Sequence, residues 1–250
     1  MSDSLFRSIE KEDTIYRDET GFDEAFKLNI NFAKLEFEEI LNVSEASSIF
    51  RVNYCGKPRV LKVDAMQFHN NGDPGYARGG IRDLARSRCE IRAYCRLKRF
   101  KICDSGAVPN FYGFMLAIDP VNCTPHLDAF RRDAGLPSAI LIEYLPKPLV
   151  MNCVTYTKER MRKAVIGIQQ VHLALIEHND PYPKNILIVP GDRERVVWVD
   201  FDVAIVYPNN TFIEEKGRRR IEFESEVVES FGQLLNEDQK KGLQPNTKYY

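Results

Sequence analysis

The chain has 250 residues and a formal net charge of −1, with 44% hydrophobic and 28% charged residues, which is ordinary for a globular protein. No stretch approaches the roughly 20 apolar residues of a membrane-spanning helix, and the polar start resembles no secretory leader. These features predict a cytoplasmic protein without membrane contact. Six cysteines without a C-x-x-C pair predict free, mostly buried thiols, not a zinc site.

The sequence of residues 1–145 predicts a first lobe built around an antiparallel sheet. Within this lobe, residues 1–30 are expected to form a polar arm that precedes the sheet. Alternating apolar residues predict five strands, at residues 34–43, 48–54, 59–63, 110–118 and 139–145. A turn is expected at 56–58. An insertion over 119–137 is expected to contain a short helix near 126–133.

Residues 81–100 lack glycine and proline and predict a helix with a long basic exposed face. From Ala77 to Lys101 there are nine basic and two acidic residues, so this segment carries +7. One interpretation is a solvated face. The other is a polyanion site for RNA, which Lys216 and residues 218–220 would extend. The residues predicted to contact RNA are all arginines of this segment: Arg78, Arg82, Arg86, Arg88, Arg92, Arg96 and Arg99.

Residues 146–250 predict a smaller, mostly helical second lobe. Thr157 is expected to cap a helix that ends near Glu177. The loop His178–Asn185 follows, and two apolar runs separated by Gly191 predict a β-hairpin. The second run continues over residues 196–207 and contains the D-F-D sequence. A last helix is expected over residues 222–235.

Three polar residues of the second lobe have side chains suited to group transfer. Asp180 can accept a proton from a substrate, whereas Asn185 and Asp200 offer oxygen ligands of the kind that Mg²⁺ prefers. In the first lobe, Lys62 offers a positive charge for phosphate and Glu90 can orient it. Taken singly, each has a structural interpretation as a surface, turn or capping residue. Their order along the chain favours the catalytic interpretation.

This order resembles the protein-kinase-like superfamily, which implies an α+β, two-lobed fold with a five-stranded antiparallel N-lobe sheet and a reduced helical C-lobe. Lys62 and Glu90 match the nucleotide-binding pair of that superfamily. Asp180 and Asn185 match its H-x-D-x-x-x-x-N loop, and Asp200 matches the metal-binding aspartate of D-F-G. The phrases NFYGF, SAILIEYL, YTKERM, HNDPYPKNILIVPGD and VVWVDFD resemble fungal proteins with a shortened kinase-like domain.

Several departures from the kinase pattern argue against protein phosphorylation. The stretch before Lys62 has no G-x-G-x-x-G loop, position 182 is tyrosine where protein kinases carry lysine, and no A-P-E segment follows. The glycine of D-F-G is replaced by Asp202. The chain is also similar in size and general character to fungal arginine-containing cyclodipeptide synthases, which use aminoacyl-tRNAs. His178 is expected to brace its loop and His172 to be structural.

Three hypotheses follow. The leading one is a transferase that needs no cofactor and joins amino acids from aminoacyl-tRNAs, including arginyl-tRNA, into an arginine-containing cyclodipeptide. Asp180, Asp200 and Asp202 would then hold the arginine guanidinium or deprotonate the attacking amine. The alternative is a small-molecule phosphotransferase that uses ATP and Mg²⁺, with Asn185 and Asp200 as metal ligands.

The third hypothesis is a non-catalytic, pseudokinase-like scaffold. Under the two enzyme hypotheses, Lys62, Glu90 and Glu143 are assigned to substrate or nucleotide binding. No obligate protein partner is implied.

Overall fold

The computed structural model describes residues 22–65, 83–207, 213 and 215–245. Within these ranges the chain is an α+β protein with ten strands and four α-helices. It divides into two compact units. One contains the described residues up to Cys95 together with Phe111–Tyr144, and the other contains Arg96–Asn110 together with the described residues from Leu145 onward.

The first unit contains the predicted five-stranded antiparallel sheet. Its strands are β1 (Leu35–Val43), β2 (Ser47–Tyr54), β3 (Lys57–Asp64), β4 (Phe111–Met115) and β5 (Ser138–Glu143). They are arranged in the order β1-β2-β3-β5-β4. The turn between β2 and β3 is made by Cys55 and Gly56, both with positive φ, as in a two-residue hairpin. The predicted turn at 56–58 therefore lies one residue too late, since β3 already begins at Lys57.

Alternation along the strands builds the core of this unit. Phe50 and Leu61 point to the same side of the sheet and pack with apolar residues of the 119–137 insertion. That insertion forms two short 3-10 helices, Pro120–Cys123 and Asp128–Arg132. They bring Leu127, which is fully buried, into the same cluster. The short helix expected near 126–133 is thus present as a single 3-10 turn.

Helix α1 spans Arg86–Arg99 and is mostly buried. The prediction of a long basic exposed face is wrong, because among its 14 residues just Arg86 and Arg99 are exposed. Its apolar residues are fully or nearly fully buried, and several of its charged residues are buried with partners. The helix also begins later than predicted. The buried carboxylate of Asp83 accepts the N–H of Ala85 (2.9 Å) in a local turn that precedes the first helical residue.

The second unit combines three helices with short strands. Its helices are α2 (Ile102–Ser105), α3 (Lys158–Leu173) and α4 (Glu215–Lys240). Its strands are β6 (Leu149–Val150), β7 (Ile176–Glu177), β8 (Ile186–Val189), β9 (Arg195–Trp198) and β10 (Ile205–Val206). β6, β8 and β9 form one antiparallel sheet, and β7 pairs with β10.

The predicted hairpin is confirmed as β8 and β9, but the second apolar run is not one strand. It leaves the sheet after Trp198, because Asp200 adopts the left-handed region (φ 66°) and a turn closes between Phe201 and Ala204. The predicted hairpin over 196–207 is therefore divided between β9 and β10. The D-F-D sequence lies in the loop that joins them.

Close helix packing fixes the strand that leads to this loop. Thr157 caps α3 as predicted, accepting the N–H of Arg160 (3.1 Å). Trp198 of β9 is fully buried and donates its indole N–H to the carbonyl of Ala164 (2.8 Å). A Cβ at Gly167 would lie 3.0 Å from the same indole, so glycine allows this approach.

Helix α3 ends at Leu173, four residues before the predicted end, because Leu175 is left-handed (φ 61°) and starts the turn into β7. Helix α4 is longer than predicted and packs on α3 at Gly232, where a Cβ would lie 2.8 Å from Met161. In the described part of the chain, no helix combines the length and apolarity needed to cross a membrane.

Candidate functional site

Two sets of the predicted residues have defined geometry, one in each unit. In the first unit, Lys62 lies on the central strand β3 and Glu90 on helix α1. The Lys62 Nζ lies 2.7 Å from a Glu90 carboxylate oxygen, and both side chains are buried, with 7% and 2% exposure. The ion pair that the resemblance implied for these two residues is therefore present.

In the second unit, the loop His178–Asn185 is held at its start by a buried carboxylate of α4. Glu224 accepts the backbone N–H of His178 (2.9 Å) and that of Asn179 (2.6 Å). It is also 2.8 Å from the Nε2 of His172. Burial alone raises the pKa of Glu224, but the hydrogen bond from His172 and the proximity of His178 hold this pKa below its ordinary value.

Asp180 and Asn185 meet as their spacing predicted. The Nδ2 of Asn185 donates to the Asp180 carboxylate (3.0 Å) and to the Asp180 carbonyl (2.9 Å). Pro183 starts a 3-10 turn that folds the loop back between them. Among the described contacts, this geometry leaves the Oδ1 of Asn185 and the Oδ1 of Asp180 without hydrogen bonds from the protein. Asp180 remains 22% exposed at its side chain.

Lys184 is a third member of this loop that the sequence did not single out. Its Nζ lies 3.0 Å from the same Asp180 oxygen that Asn185 contacts, and its side chain is about half exposed. The charge of this lysine therefore reaches the aspartate. Tyr182 instead packs its ring against Phe231 of α4, with centroids 5.3 Å apart.

Val199 connects the D-F-D sequence to this loop. Its N–H donates to the Asn185 carbonyl (3.0 Å), and its carbonyl accepts the Nε2–H of the fully buried His178 (2.9 Å). The prediction that His178 braces the loop is therefore confirmed. Asp200 follows directly on a residue that is hydrogen-bonded to Asn185. Asp180, Asn185 and the backbone that leads into Asp200 thus belong to one hydrogen-bonded loop system.

Asp200 and Asp202 differ in burial. Asp200 is partly exposed, whereas Asp202 has 8% exposure. The left-handed backbone at Asp200 costs a non-glycine residue roughly 1–3 kcal/mol, which the bonds made by Val199 offset. Such strain is concentrated at functional sites.

A second buried carboxylate stabilises the start of this loop. Glu177 of β7 accepts two hydrogen bonds from Arg220 of α4 (2.9 and 2.7 Å) and one from Tyr207 (2.8 Å). Arg220 also reaches the side-chain oxygen of Asn179 (3.3 Å). Glu177, Arg220 and Glu224 were not predicted as site residues. The sequence offers only an acidic residue within a predicted helix as a signal. Such a residue is recognised as part of the site only from its burial and its tertiary contacts.

The arginines predicted to bind RNA have different environments. Arg88 donates two hydrogen bonds to Asp83 (both 2.8 Å), and Arg92 donates one (2.6 Å) with 3% exposure. Arg92 is thus a buried ion-pair residue and not a surface contact, which corrects its assignment. Arg96 is partly buried, and Arg86 and Arg99 are exposed. Arg78 and Arg82 lie outside the described residues.

Two further predicted features lie in the first unit. Glu143 ends β5 opposite Arg59 and is partly exposed. The β1–β2 turn, which precedes Lys62 on the chain, is closed by Ser44. Its hydroxyl accepts the N–H groups of Ala46 (3.3 Å) and Ser47 (3.0 Å). These amides are therefore already occupied within the turn.

No protein-family model matches this chain, and no curated protein sequence matches it. Its function is therefore inferred from its own residues and their geometry.

Proposed function

We propose that this protein has a kinase-like two-lobed fold and is a phosphotransferase that moves the γ-phosphoryl group of ATP to a small molecule. The observation that carries the proposal is the buried ion pair of Lys62 and Glu90. A buried ion pair is often no more stable than an apolar pair of the same volume. Its presence on a central strand therefore favours a role in binding, and a lysine held by a glutamate is suited to contact phosphate.

Asp180 is assigned the role of general base. Its Oδ2 is engaged by Asn185 and Lys184, which leaves Oδ1 to accept the proton of an acceptor hydroxyl. As that proton moves to Asp180, the acceptor oxygen bonds to the γ-phosphorus. The bond from this phosphorus to the β–γ bridging oxygen breaks, and ADP leaves with the electron pair. Lys184 lies where it can balance charge on the transferred group.

The donor set of the second unit fits Mg²⁺. Asn185 turns its Nδ2 toward Asp180, so its Oδ1 is the atom left for a metal, and Asp200 adds a carboxylate. Among the described residues, no three histidine, cysteine or acidic side chains form a metal-binding group. One carboxylate and one amide suit an ion that keeps several waters and binds substrate phosphates. When bound, Mg²⁺ neutralises phosphate charge.

The test is ATP binding followed by transfer. Isothermal titration with ATP and Mg²⁺ should show saturable binding that Lys62→Met and Asp200→Asn each weaken at least tenfold. Lys57→Met is the matched control, because Lys57 lies on the same strand but is exposed. Asp180→Asn should retain ATP binding while phosphoryl transfer to a panel of hydroxyl and amine acceptors falls by about 10²–10⁴-fold. An affinity for ATP that is unchanged by Lys62→Met would contradict the proposal.

The second candidate is aminoacyl transfer from aminoacyl-tRNA to form an arginine-containing cyclodipeptide. The observation that favours it is the turn closed by Ser44, whose occupied amides are poorly placed to cradle phosphates. In this reaction the α-amine of one aminoacyl-tRNA loses a proton to Asp180 or Asp202 and attacks the ester carbonyl of the other. The C–N bond forms as the ester C–O bond breaks, and the tRNA hydroxyl leaves with a proton. The free α-amine of the resulting dipeptide then attacks the remaining ester in the same way, which closes the ring and releases the second tRNA. The burial of Arg92 removes part of the case for an RNA-binding α1.

One experiment separates the two candidates. The protein is incubated with a mixture of charged tRNAs, including arginyl-tRNA, and the products are analysed by mass spectrometry for a cyclic dipeptide. A parallel sample contains ATP, Mg²⁺ and the acceptor panel. A cyclic dipeptide that disappears in Asp180→Asn would establish the second candidate, and ATP-dependent phosphorylation would establish the first.

A further inference from the structure

The basic start of α4 borders a cavity that neither candidate reaction uses. The cavity has a volume of about 420 Å³ and is lined by Glu215, Lys216, Arg219, Arg220 and Phe223. This volume falls within the range of small-molecule sites in proteins. All five side chains come from about two turns of one helix, so their relative positions are fixed by helical geometry.

The charges in the cavity favour an anionic ligand. Three cations face one carboxylate. Lys216 and Arg219 are exposed, and the bond between Arg219 and Glu215 joins two largely exposed side chains. Such surface pairs contribute little to stability, so Arg219 can turn to a ligand. Arg220 is held in place by Glu177, which raises the pKa of its guanidinium.

The position of these cations works against the stability of the helix itself. Residues 215–220 contain four basic residues and one acidic residue, whereas residues 221–240 contain six acidic residues and one basic residue. This is the reverse of the arrangement that the helix dipole favours. A departure from a local stability rule such as this one is expected where function requires it. The unfavourable position of the cations therefore indicates that they have a role in binding.

Phe223 adds an apolar surface to the same cavity. Its ring is 64% exposed, which is high for a phenylalanine on a packed helix. An exposed aromatic ring beside guanidinium and ammonium groups is the combination that binds nucleotides. The ring stacks on a base while the cations contact phosphate. A purely phosphate-binding site would not need the ring.

We propose that this cavity binds a nucleotide, through its phosphate at Lys216 and Arg219 and through its base on Phe223. The occupant is either a free nucleotide or the end of a single RNA strand. This binding goes beyond the proposed phosphotransfer, since none of the described lining residues belongs to its catalytic set. It is nevertheless connected to that set, because Arg220 contacts Asn179, the neighbour of Asp180.

The experiment measures fluorescence anisotropy of two probes, a labelled mononucleotide and a labelled single-stranded RNA pentamer. Asp200→Asn protein without Mg²⁺ is used, so that nucleotide binding at the proposed ATP site does not contribute to the signal. Lys216→Gln and Arg219→Gln should each weaken binding and lower its salt dependence by about one unit of the log–log slope. Phe223→Leu should weaken it at least about fivefold.

Arg218→Gln is the matched control, because Arg218 is exposed on the same turn but does not line the cavity. It should leave binding of both probes within about twofold of the parent protein. A pentamer that binds far more tightly than the mononucleotide identifies an RNA end, and equal affinities identify a free nucleotide. The proposal is overturned if neither probe binds saturably, or if Arg218→Gln weakens binding as much as Arg219→Gln.

Discussion

Helices α1 and α4 both contain runs of basic residues, but their structures use these charges in opposite ways. In α1, Arg88 and Arg92 are turned inward and share one buried carboxylate, Asp83. In α4, by contrast, Lys216 and Arg218 are exposed at the start of the helix.

The difference shows that a local charge count does not identify a binding surface. The segment around α1 carries the larger positive charge of the two, yet most of its helix is buried. What separates the two helices is the apolar content between the basic residues. Ile91, Tyr94 and Leu97 of α1 are all fully or nearly fully buried. Arg92, which lies between them on the helix, is buried as well. A buried arginine requires a buried acid, and Asp83 supplies it.

The largest effect is expected from removing Asp83, the buried acid just before α1. Asp83→Ala leaves the buried Arg92 without its carboxylate and should lower the free energy of unfolding by about 3–5 kcal/mol. The measurement is urea unfolding followed by circular dichroism. Asp104→Ala is the control, since Asp104 is 58% exposed and pairs with Lys98 at the surface. Similar losses of unfolding free energy in the two variants would mean that the buried ion pairs of Asp83 do not stabilise this helix.

A smaller effect is expected from replacing Glu224, whose carboxylate is buried on α4. Glu224→Gln places an amide N–H₂ against the loop N–H groups, and one buried donor loses its acceptor, which should cost about 1–3 kcal/mol of unfolding free energy. The folded-state pKa of Glu224 is lowered, so its stabilisation is complete above the ordinary pKa of 4.5 and is lost as the pH falls through the folded value.

The difference in unfolding free energy between wild type and Glu224→Gln should therefore be larger at about pH 7 than at about pH 4. Glu226→Gln, at an exposed position on the same helix, is the control. A difference that stays constant over this pH range would show that the Glu224 charge does not hold the loop.

The smallest effect is expected from the outward cations of α4. Arg218→Gln and Lys216→Gln should change the free energy of unfolding by no more than about 0.5 kcal/mol. The direction should be toward greater stability, because a cation is removed from the first turns of a helix. Thermal unfolding at low and high salt measures this. A loss above about 1 kcal/mol would place these residues among the structural charges, as in α1.

Much of the local structure could be predicted from particular residues. The alternation in β2 and β3, the Thr157 cap and the glycine between β8 and β9 all act over a few residues. The contact between Asp180 and Asn185 could also be predicted, since five residues and Pro183 suffice to fold the loop back. Glu224 could not be identified as a site residue, because its partners, His172, His178 and Asn179, lie about 45–52 residues away.

The sequence by itself determined the antiparallel sheet, the order of the elements and the residue types available for group transfer, because these depend on local periodicity and short spacing. Tertiary structure decided which charges are buried and which face solvent. It turned Arg88 and Arg92 of α1 inward to Asp83, ended β9 at Trp198, and left the basic start of α4 exposed. The physical reason is that burial of a charge depends on the partner that folding brings to it, and that partner is set by the whole chain.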